Sequence, residues 1–132
     1  PFCGHIGLLP QSIEELGGYK VQGRDEAGAK AIMEDARALE AAGAGMIVME
    51  CIPAPLAATI SQSLSIPTIG IGAGPGCDGQ VLVLYDMLGI TTQKTPRFVK
   101  DFLRDSGTVP AAVEAYIKAV KDGSYPAPEH EY

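Results

Sequence analysis

Short apolar segments alternate with amphipathic segments of helical length along the first half of the sequence, and this alternation restricts the fold more than any other feature. The apolar runs cover Phe2 to Leu8, Met46 to Cys51 and Thr68 to Ala73. They lack clean polar alternation, as do strands that are buried on both faces of a parallel sheet. The segments Ala27 to Ala42 and Pro55 to Leu64 lie between them and predict helices. The order strand, helix, strand, helix, strand predicts right-handed βαβ units and an α/β fold.

The segment from Val81 to Tyr85 is compatible with two structures. Only seven residues separate it from Ala73, whereas a parallel crossover usually needs about a dozen. It is therefore predicted to be either a strand that is reached by an irregular connection or a helix capped by Asp78.

The C-terminal part of the sequence carries clearer helix signals. Thr95 and Pro96 predict the start of a helix that bears Phe98 and Phe102, since proline is favoured in the first turn. A second helix is predicted for Val109 to Asp122, because Gly123 follows it as a stop signal. The tail from Ser124 to Tyr132 is expected to be a surface extension.

Length and charge exclude several classes of protein. A chain of 132 residues is long enough for one domain, so residues 1–132 are expected to belong to a single folding unit. Ten basic and sixteen acidic residues give a formal charge of -6, which provides no basic surface for a nucleic acid. The apolar runs are far shorter than the roughly 20 residues of a membrane-spanning helix, so no membrane partner is expected.

The cysteines indicate a reducing compartment. Cys3, Cys51 and Cys77 are an odd number with no CxxC spacing, which is typical of reduced thiols in a cytoplasmic protein. Each is predicted to be a buried structural residue.

Two residues at or near strand ends are candidates for chemistry. Ligands of parallel α/β folds meet the chain at the carboxyl ends of the strands, and Glu50 ends the second apolar run. Burial there would raise the pKa of the carboxylate and let it act as a general base, although position alone favours capping of the next helix or pairing with a nearby cation. His5 could contact a substrate oxygen or could be an ordinary core histidine.

Two glycine-containing segments are candidates for ligand-binding loops. The segment from Gly17 to Arg24 holds two cations and is long enough to cover a site, or it is an ordinary surface loop. The segment from Gly70 to Gly74 lacks the GxGxxG spacing of a phosphate-binding turn, so it predicts room for a ligand or close packing instead. His5 and His130 share no metal-ligand spacing, so no metal site is predicted within this chain.

Several long segments resemble the ketopantoate hydroxymethyltransferase family, also called 3-methyl-2-oxobutanoate hydroxymethyltransferases. They are PFCGHIGL at residues 1–8, GGYKVQGR at 17–24, IVMECIP at 47–53 and IPTIGIGAG at 66–74. The similarity continues through CDGQVLVL at 77–84 and reaches the tail, so it covers essentially the whole chain. Motifs of this length in the family's order are far more specific than any single pattern.

The resemblance implies a fold and a reaction. The fold would be the C-terminal half, about strands 5 to 8, of a (βα)8 TIM barrel that is followed by C-terminal helices. The enzyme would be a transferase of pantothenate biosynthesis, in the coenzyme A pathway. It would pass a hydroxymethyl unit from 5,10-methylenetetrahydrofolate to 3-methyl-2-oxobutanoate, which gives 2-dehydropantoate (ketopantoate).

The resemblance also implies roles for individual residues and partners. Glu50 matches the family's proton acceptor and would remove the C3 proton of the oxo acid, whereas His5 matches a histidine of the substrate pocket. A magnesium ion would chelate the oxo acid and stabilise the enolate, and the enzyme would be a homo-oligomer.

The part of the family that this chain does not resemble is the first four strands, which carry the metal-binding carboxylates. The chain also begins at Pro1, directly in an apolar run, so it is expected to begin inside a domain. We therefore expect the Mg2+ ligands on an N-terminal half, which would complete the barrel as a partner segment. Two alternatives remain open, a half-barrel module without turnover and a related barrel enzyme for another 2-oxo acid.

Overall fold

The computed structural model describes residues 1–132 and is built on a four-stranded sheet. The strands are β1 (Phe2–Gly7), β2 (Ala44–Glu50), β3 (Thr68–Ile71) and β4 (Gly79–Gln80). They lie in chain order, and every neighbouring pair is parallel. The prediction of an α/β fold with a parallel sheet is therefore confirmed.

Five α-helices accompany the sheet. They are α1 (Glu26–Ala41), α2 (Ala54–Ser63), α3 (Leu84–Met87), α4 (Leu103–Ser106) and α5 (Val109–Asp122). The predicted connecting helices α1 and α2 are confirmed to within one residue at each end. The Asp25 side chain caps α1 by accepting a 2.7 Å hydrogen bond from the Gly28 amide. No helix in the chain combines the length and the apolar character that crossing a bilayer requires.

The two faces of the sheet have different environments. Ile6, Ile47 and Met49 point toward α1 and α2 and belong to one buried cluster. Side chains alternate along a strand, so the residues between them lie on the opposite face. That face is open at its amino-terminal end, where Cys3 and Met46 are exposed. The prediction of a buried thiol is thus wrong for Cys3, because no other segment of the chain covers it.

The connection between β3 and β4 is stabilised by Asp78. Its carboxylate accepts hydrogen bonds from the Thr68 amide at 2.8 Å and from the Thr68 hydroxyl at 3.0 Å. The alternative in which Asp78 caps a helix is therefore wrong. The segment from Val81 to Tyr85 is neither purely strand nor purely helix, since β4 ends just before it and α3 begins at Leu84.

The predicted helix that opens at Thr95 and Pro96 is wrong, whereas α5 is confirmed with its predicted bounds. The backbone around the two phenylalanines bonds to other parts of the chain instead of forming helical hydrogen bonds. The Phe98 carbonyl accepts a 2.6 Å hydrogen bond from the Tyr125 hydroxyl. The Phe102 amide donates to the Met87 carbonyl at 2.8 Å. A single helical turn, α4, forms only after Phe102.

The C-terminal tail is part of the core, and its prediction as a surface extension is wrong. Tyr125 is only 4% exposed, and its ring packs edge-to-face against Phe102 at a centroid distance of 5.5 Å. At the end of the chain, the Tyr132 carbonyl accepts a hydrogen bond from the Ala54 amide at 3.1 Å. The tail therefore joins the C-terminal segment to the start of α2.

The Tyr125 hydroxyl gives a direct test of this packing. Tyr125→Phe removes the donor to the Phe98 carbonyl and leaves the ring in place, so we expect the free energy of unfolding to fall by about 1 kcal/mol. Urea titration of the complete protein would measure it. Tyr85→Phe is the matched control, because Tyr85 is exposed. Equal stability of the two variants would contradict the assignment.

Candidate active site

Glu50 is the last residue of β2 and lies in the middle of the sheet's carboxyl-terminal edge. It is in register with Gly7 on β1 and with Ile71 on β3. Its carbonyl accepts a 2.9 Å hydrogen bond from the Leu8 amide, and the next amide, that of Cys51, donates to the Ile71 carbonyl at 2.9 Å. Both neighbouring strands therefore hold the backbone that carries the carboxylate.

The backbone on either side of Glu50 adopts conformations that few residues tolerate. Gly7 has φ = 88°, and a side chain there would collide with the Glu50 carbonyl. Cys51 has φ = 50° without being a glycine, a conformation that persists only where the surroundings impose it. The Gln22 amide donates to the Cys51 carbonyl at 2.9 Å and is one such constraint. Strained backbone of this kind is common at functional sites.

His5 and Glu50 form a close pair on the face of the sheet opposite α1 and α2. The His5 Nε2 atom lies 3.0 Å from the Glu50 Oε2 atom. The Glu50 side chain is 13% exposed and that of His5 is 33% exposed, so the pair is partly shielded from water but still reachable. The structure thus brings together the two site residues that the sequence analysis named, across two adjacent strands.

The surroundings of Glu50 change its protonation. Burial raises the pKa of the Glu50 carboxyl above the ordinary glutamate value, while the charge and the hydrogen bond of His5 act in the opposite direction. A carboxylate with a raised pKa is a stronger base than an exposed glutamate. Glu50 can therefore accept a proton from a weakly acidic carbon or oxygen that is held nearby.

The neighbouring thiol has no comparable reactivity. Cys51 is buried, and burial, with a contribution from the Glu50 charge, raises its pKa to about 12. Because the thiolate is the nucleophilic form, this residue stays a neutral core side chain at ordinary pH.

A cleft of about 260 Å³ opens beside the Glu50 side chain. Its walls come from segments far apart in the sequence, including Tyr19, Asp86 and Lys94. The Asp86 carboxylate accepts a hydrogen bond from the Thr91 hydroxyl, which ties α3 to the polar segment that follows it. The cleft is of a size that suits a small molecule rather than a macromolecule.

The segment from Gly17 to Arg24 borders this cleft. Tyr19 forms part of the cleft wall, and the Gln22 amide anchors the segment to the end of β2 through the Cys51 carbonyl. The sequence of this segment is compatible with an ordinary surface loop and with a loop that covers a site. Its contacts locate it at the same end of the sheet as Glu50.

The glycines after β3 serve close packing. Gly72 and Gly74 have φ values of 64° and 73°. A side chain would meet the Phe98 ring at Gly72 and Ala54 at Gly74. Of the two predicted reasons for small residues there, room for a ligand or tight packing, the structure supports packing.

The residues of this chain do not by themselves fit a magnesium site. No group of three or more His, Cys, Asp or Glu side chains is arranged to hold a metal ion. The partly buried carboxylate of Glu50 is already engaged by His5, and the Asp86 carboxylate is engaged by Thr91.

The second wall of the cleft was not predicted from the sequence. Gln93 and Lys94 line it together with Thr91 and Pro96, but the proline was interpreted as the start of a helix. A usable signal was present, since residues 91–95 are a polar run between two apolar segments. Such a run after a strand and a short helix is typical of a loop at a site.

Comparison with known proteins gives one consistent result. A family model described as ketopantoate hydroxymethyltransferase matches residues 1–128. Proteins named 3-methyl-2-oxobutanoate hydroxymethyltransferase from Burkholderia mallei, Burkholderia pseudomallei and Burkholderia thailandensis are each 59% identical over 132 residues. These alignments cover 100% of this chain and 49% of each relative. The chain thus spans about half the length of the curated relatives that it matches.

The interaction between His5 and Glu50 predicts a measurable pKa change. His5 lowers the pKa of Glu50 through its charge and its hydrogen bond, so His5→Asn, which removes the charge, should raise that pKa further. Titration of the Glu50 carboxyl by 13C NMR would measure it. His130→Asn is the control: it makes the same chemical change at a ring that packs against Tyr125 and not against Glu50. A Glu50 pKa that falls or stays constant in His5→Asn would refute the pairing.

Proposed function

The chain belongs to the ketopantoate hydroxymethyltransferase family, and from this premise we propose that it forms part of a hydroxymethyltransferase acting on 3-methyl-2-oxobutanoate. The one-carbon donor would be 5,10-methylenetetrahydrofolate, and the product would be 2-dehydropantoate for pantothenate biosynthesis. The observation that carries the proposal is the pair of His5 and Glu50 at 3.0 Å, beside a small cleft at the carboxyl ends of parallel strands.

Glu50 is the general base in this proposal. The C3–H bond of the oxo acid breaks, the proton passes to the Glu50 carboxylate, and the electron pair delocalises toward the adjacent carbonyl oxygen as an enolate. Water hydrolyses both C–N bonds of the donor's methylene bridge, which releases tetrahydrofolate and leaves the one-carbon unit as formaldehyde. The enolate carbon then adds to the formaldehyde carbon, and the formaldehyde oxygen takes up the proton held by Glu50 to give the hydroxymethyl group. The raised pKa of Glu50 supports the first step, because a base whose pKa is closer to neutrality removes a carbon-bound proton more effectively.

His5 acts as a positioning residue for that base. Its ring nitrogen lies on one carboxylate oxygen, Oε2, so the other oxygen of Glu50 has no hydrogen-bond partner within the chain. That free oxygen is the one we assign to the substrate proton. The exposed part of the His5 ring is also available to a substrate oxygen, which is the role that the family resemblance suggests for it.

We further propose that another polypeptide segment completes the site. Two features support this: the chain covers 49% of its relatives' length, and its sheet has an open face near Cys3 and Met46. A second sheet segment would cover that face, pair with the free edges of β1 and β4, and close the sheet as a (βα)8 barrel of which this chain is the C-terminal half. The ligands of the Mg2+ ion would lie on that segment, and the assembled protein would be a cytoplasmic homo-oligomer.

The role of Glu50 has a specific test. Glu50→Gln keeps the size of the side chain and its contact with His5 but removes the basicity. We expect the exchange of the C3 proton of 3-methyl-2-oxobutanoate to slow by about 100-fold or more in the complete enzyme. Proton NMR in D2O without the one-carbon donor would measure this step alone.

A matched control for this variant is Glu114→Gln, at an exposed position on α5. It makes the same chemical change away from the cleft and should exchange at the wild-type rate. Wild-type exchange in Glu50→Gln would remove this residue from the mechanism. It would also favour a module without turnover.

If a second segment completes the barrel, residues 1–132 alone are expected to be inactive. The isolated chain should form no ketopantoate and should bind a hydrophobic dye through its open sheet face. Co-expression with the N-terminal half of the Burkholderia thailandensis relative should restore C3 exchange and reduce dye binding. A monomeric preparation of residues 1–132 that makes ketopantoate unaided would contradict the proposal.

A further inference from the structure

The residue after Glu50 has a backbone conformation that the rest of the chain reserves for glycine. Cys51 has φ = 50° and is the only non-glycine residue with a positive φ, whereas ten glycines have one. The left-handed conformation brings Cβ too close to the following carbonyl oxygen, and glycine avoids this contact because it has no Cβ. A cysteine at this position therefore indicates that its side chain has a role that glycine could not fill.

The left-handed turn changes the face of the sheet on which the Cys51 side chain lies. Side chains alternate along a strand, so residue 51 would be expected to follow Ile47 to the side of α1 and α2. Cys51 belongs instead to the other buried cluster, which contains Ile71 and against which Val48 packs. Ile71 is in register with Glu50, and Val48 is two residues before it on β2. The turn thus brings the thiol to the face of the sheet that carries the base.

The end of β1 has the same arrangement. Gly7 has φ = 88°, and Leu8, which follows it, belongs to the same cluster as the thiol. Ile6 lies in the cluster on the other side of the sheet. Two neighbouring strands therefore end in a left-handed residue, and each turn places an apolar side chain on the face of His5 and Glu50.

Three hydrogen bonds hold the turn at Cys51. Its amide donates to the Ile71 carbonyl at 2.9 Å, and its carbonyl accepts from the Gln22 amide at 2.9 Å. The amide of the next residue, Ile52, donates to the Gly72 carbonyl at 3.2 Å. The surrounding backbone thus imposes the left-handed conformation, and none of these hydrogen bonds uses the Cys51 side chain.

The thiol is a neutral neighbour of the Glu50 carboxylate. Cys51 is 1% exposed, and a buried free cysteine behaves as a small hydrophobic residue. Burial and, to a smaller extent, the charge of Glu50 raise the pKa of Cys51 to about 12. The two side chains are therefore within electrostatic reach of each other. Burial is also the largest cause of the raised pKa of Glu50.

We propose that Cys51 is a positioning residue for the base, and that its left-handed backbone turns the thiol onto the Glu50 face so that it keeps water away from the carboxylate. The inference rests on the proposed function for the role of Glu50 as the base. Without this cover, water would stabilise the charged carboxylate and make it a weaker base. Cys51 takes no part in the chemistry itself, because a neutral thiol is not a nucleophile.

The other ionisable groups near Glu50 are left unchanged in the test of this proposal. They lie on β1 and on the walls of the cleft: His5, Tyr19, Asp86 and Lys94. Because every variant retains them, a difference in the Glu50 pKa between a Cys51 variant and the wild type reports the contribution of the thiol.

Two substitutions in the complete enzyme test the role of the thiol. Cys51→Gly tolerates the left-handed backbone and removes the cover, whereas Cys51→Ser keeps nearly the same size but offers a hydroxyl that can donate to the carboxylate. We expect each to lower the Glu50 pKa by about half a unit or more. The acid limb of C3 proton exchange should move to lower pH by the same amount, and the plateau rate should fall because the base is weaker.

The pH profile separates this role from a merely structural one. Loss of folded protein lowers the exchange rate equally at every pH and leaves the acid limb in place. Cys77→Gly and Cys77→Ser are the matched controls, because Cys77 is a partly buried thiol that packs against the other cluster. They should keep the acid limb of the wild type. If Cys51→Gly does not fold, Cys51→Ser decides.

Titration of the Glu50 carboxyl by 13C NMR gives the same pKa without turnover. A Glu50 pKa in folded Cys51→Ser that equals the wild-type value would overturn the proposal. An equal decrease in Cys77→Ser would overturn it as well, since the effect would then not depend on the place of the thiol. Failure of the proposed function would appear instead as an absence of C3 exchange in the wild-type enzyme, and the NMR titration does not depend on exchange.

Discussion

The parallel register of β1, β2 and β3 is the constraint on which the candidate site depends. Hydrogen bonds between these strands fix Glu50 opposite Gly7 and Ile71, and the pleat puts His5 and Glu50 on the same face. A shift of one residue in β2 would turn the carboxylate toward α1 and α2. The distance of 3.0 Å between the two side chains is therefore a consequence of backbone pairing that extends over the whole sheet.

The packing of aromatic residues in the C-terminal segment is the second feature that shapes the candidate site. Tyr125 and Phe102 pack together, and the Tyr125 hydroxyl holds the backbone at Phe98. This packing fixes the segment from Lys94 to Arg97, which forms the second wall of the cleft beside Glu50. Helix formation at Pro96 would have removed these residues from the site. Tertiary packing thus determines the shape of the cleft, whereas strand pairing determines the position of the base.

The chemistry of Glu50 follows from two opposing effects at one position. Burial makes the charged form of the carboxylate unfavourable, and His5 restores part of the stability of that form. A fully exposed carboxylate would be a weak base, and a fully buried one without a partner would be protonated and unable to accept a proton. The partly covered edge of the sheet provides the intermediate environment. The same face of the sheet is open at its amino-terminal end, near Cys3 and Met46, and the proposed second segment would cover it.

The sequence by itself determined the α/β class, the parallel sheet, helices α1, α2 and α5, and Glu50 and His5 as candidate site residues. These features depend on local signals: apolar runs between glycines and prolines, amphipathic periodicity, and a carboxylate at the end of a strand. The tertiary structure decided the rest. It buried a tail that looks polar, replaced a predicted helix with an irregular segment that contains a turn, and brought Tyr19 and Lys94 to the same cleft. The physical reason is that packing and hydrogen bonding of Phe98, Phe102 and Tyr125 with distant residues stabilise the fold more than local helix formation in their segments would. Such contacts between distant residues leave no periodic signal in the sequence.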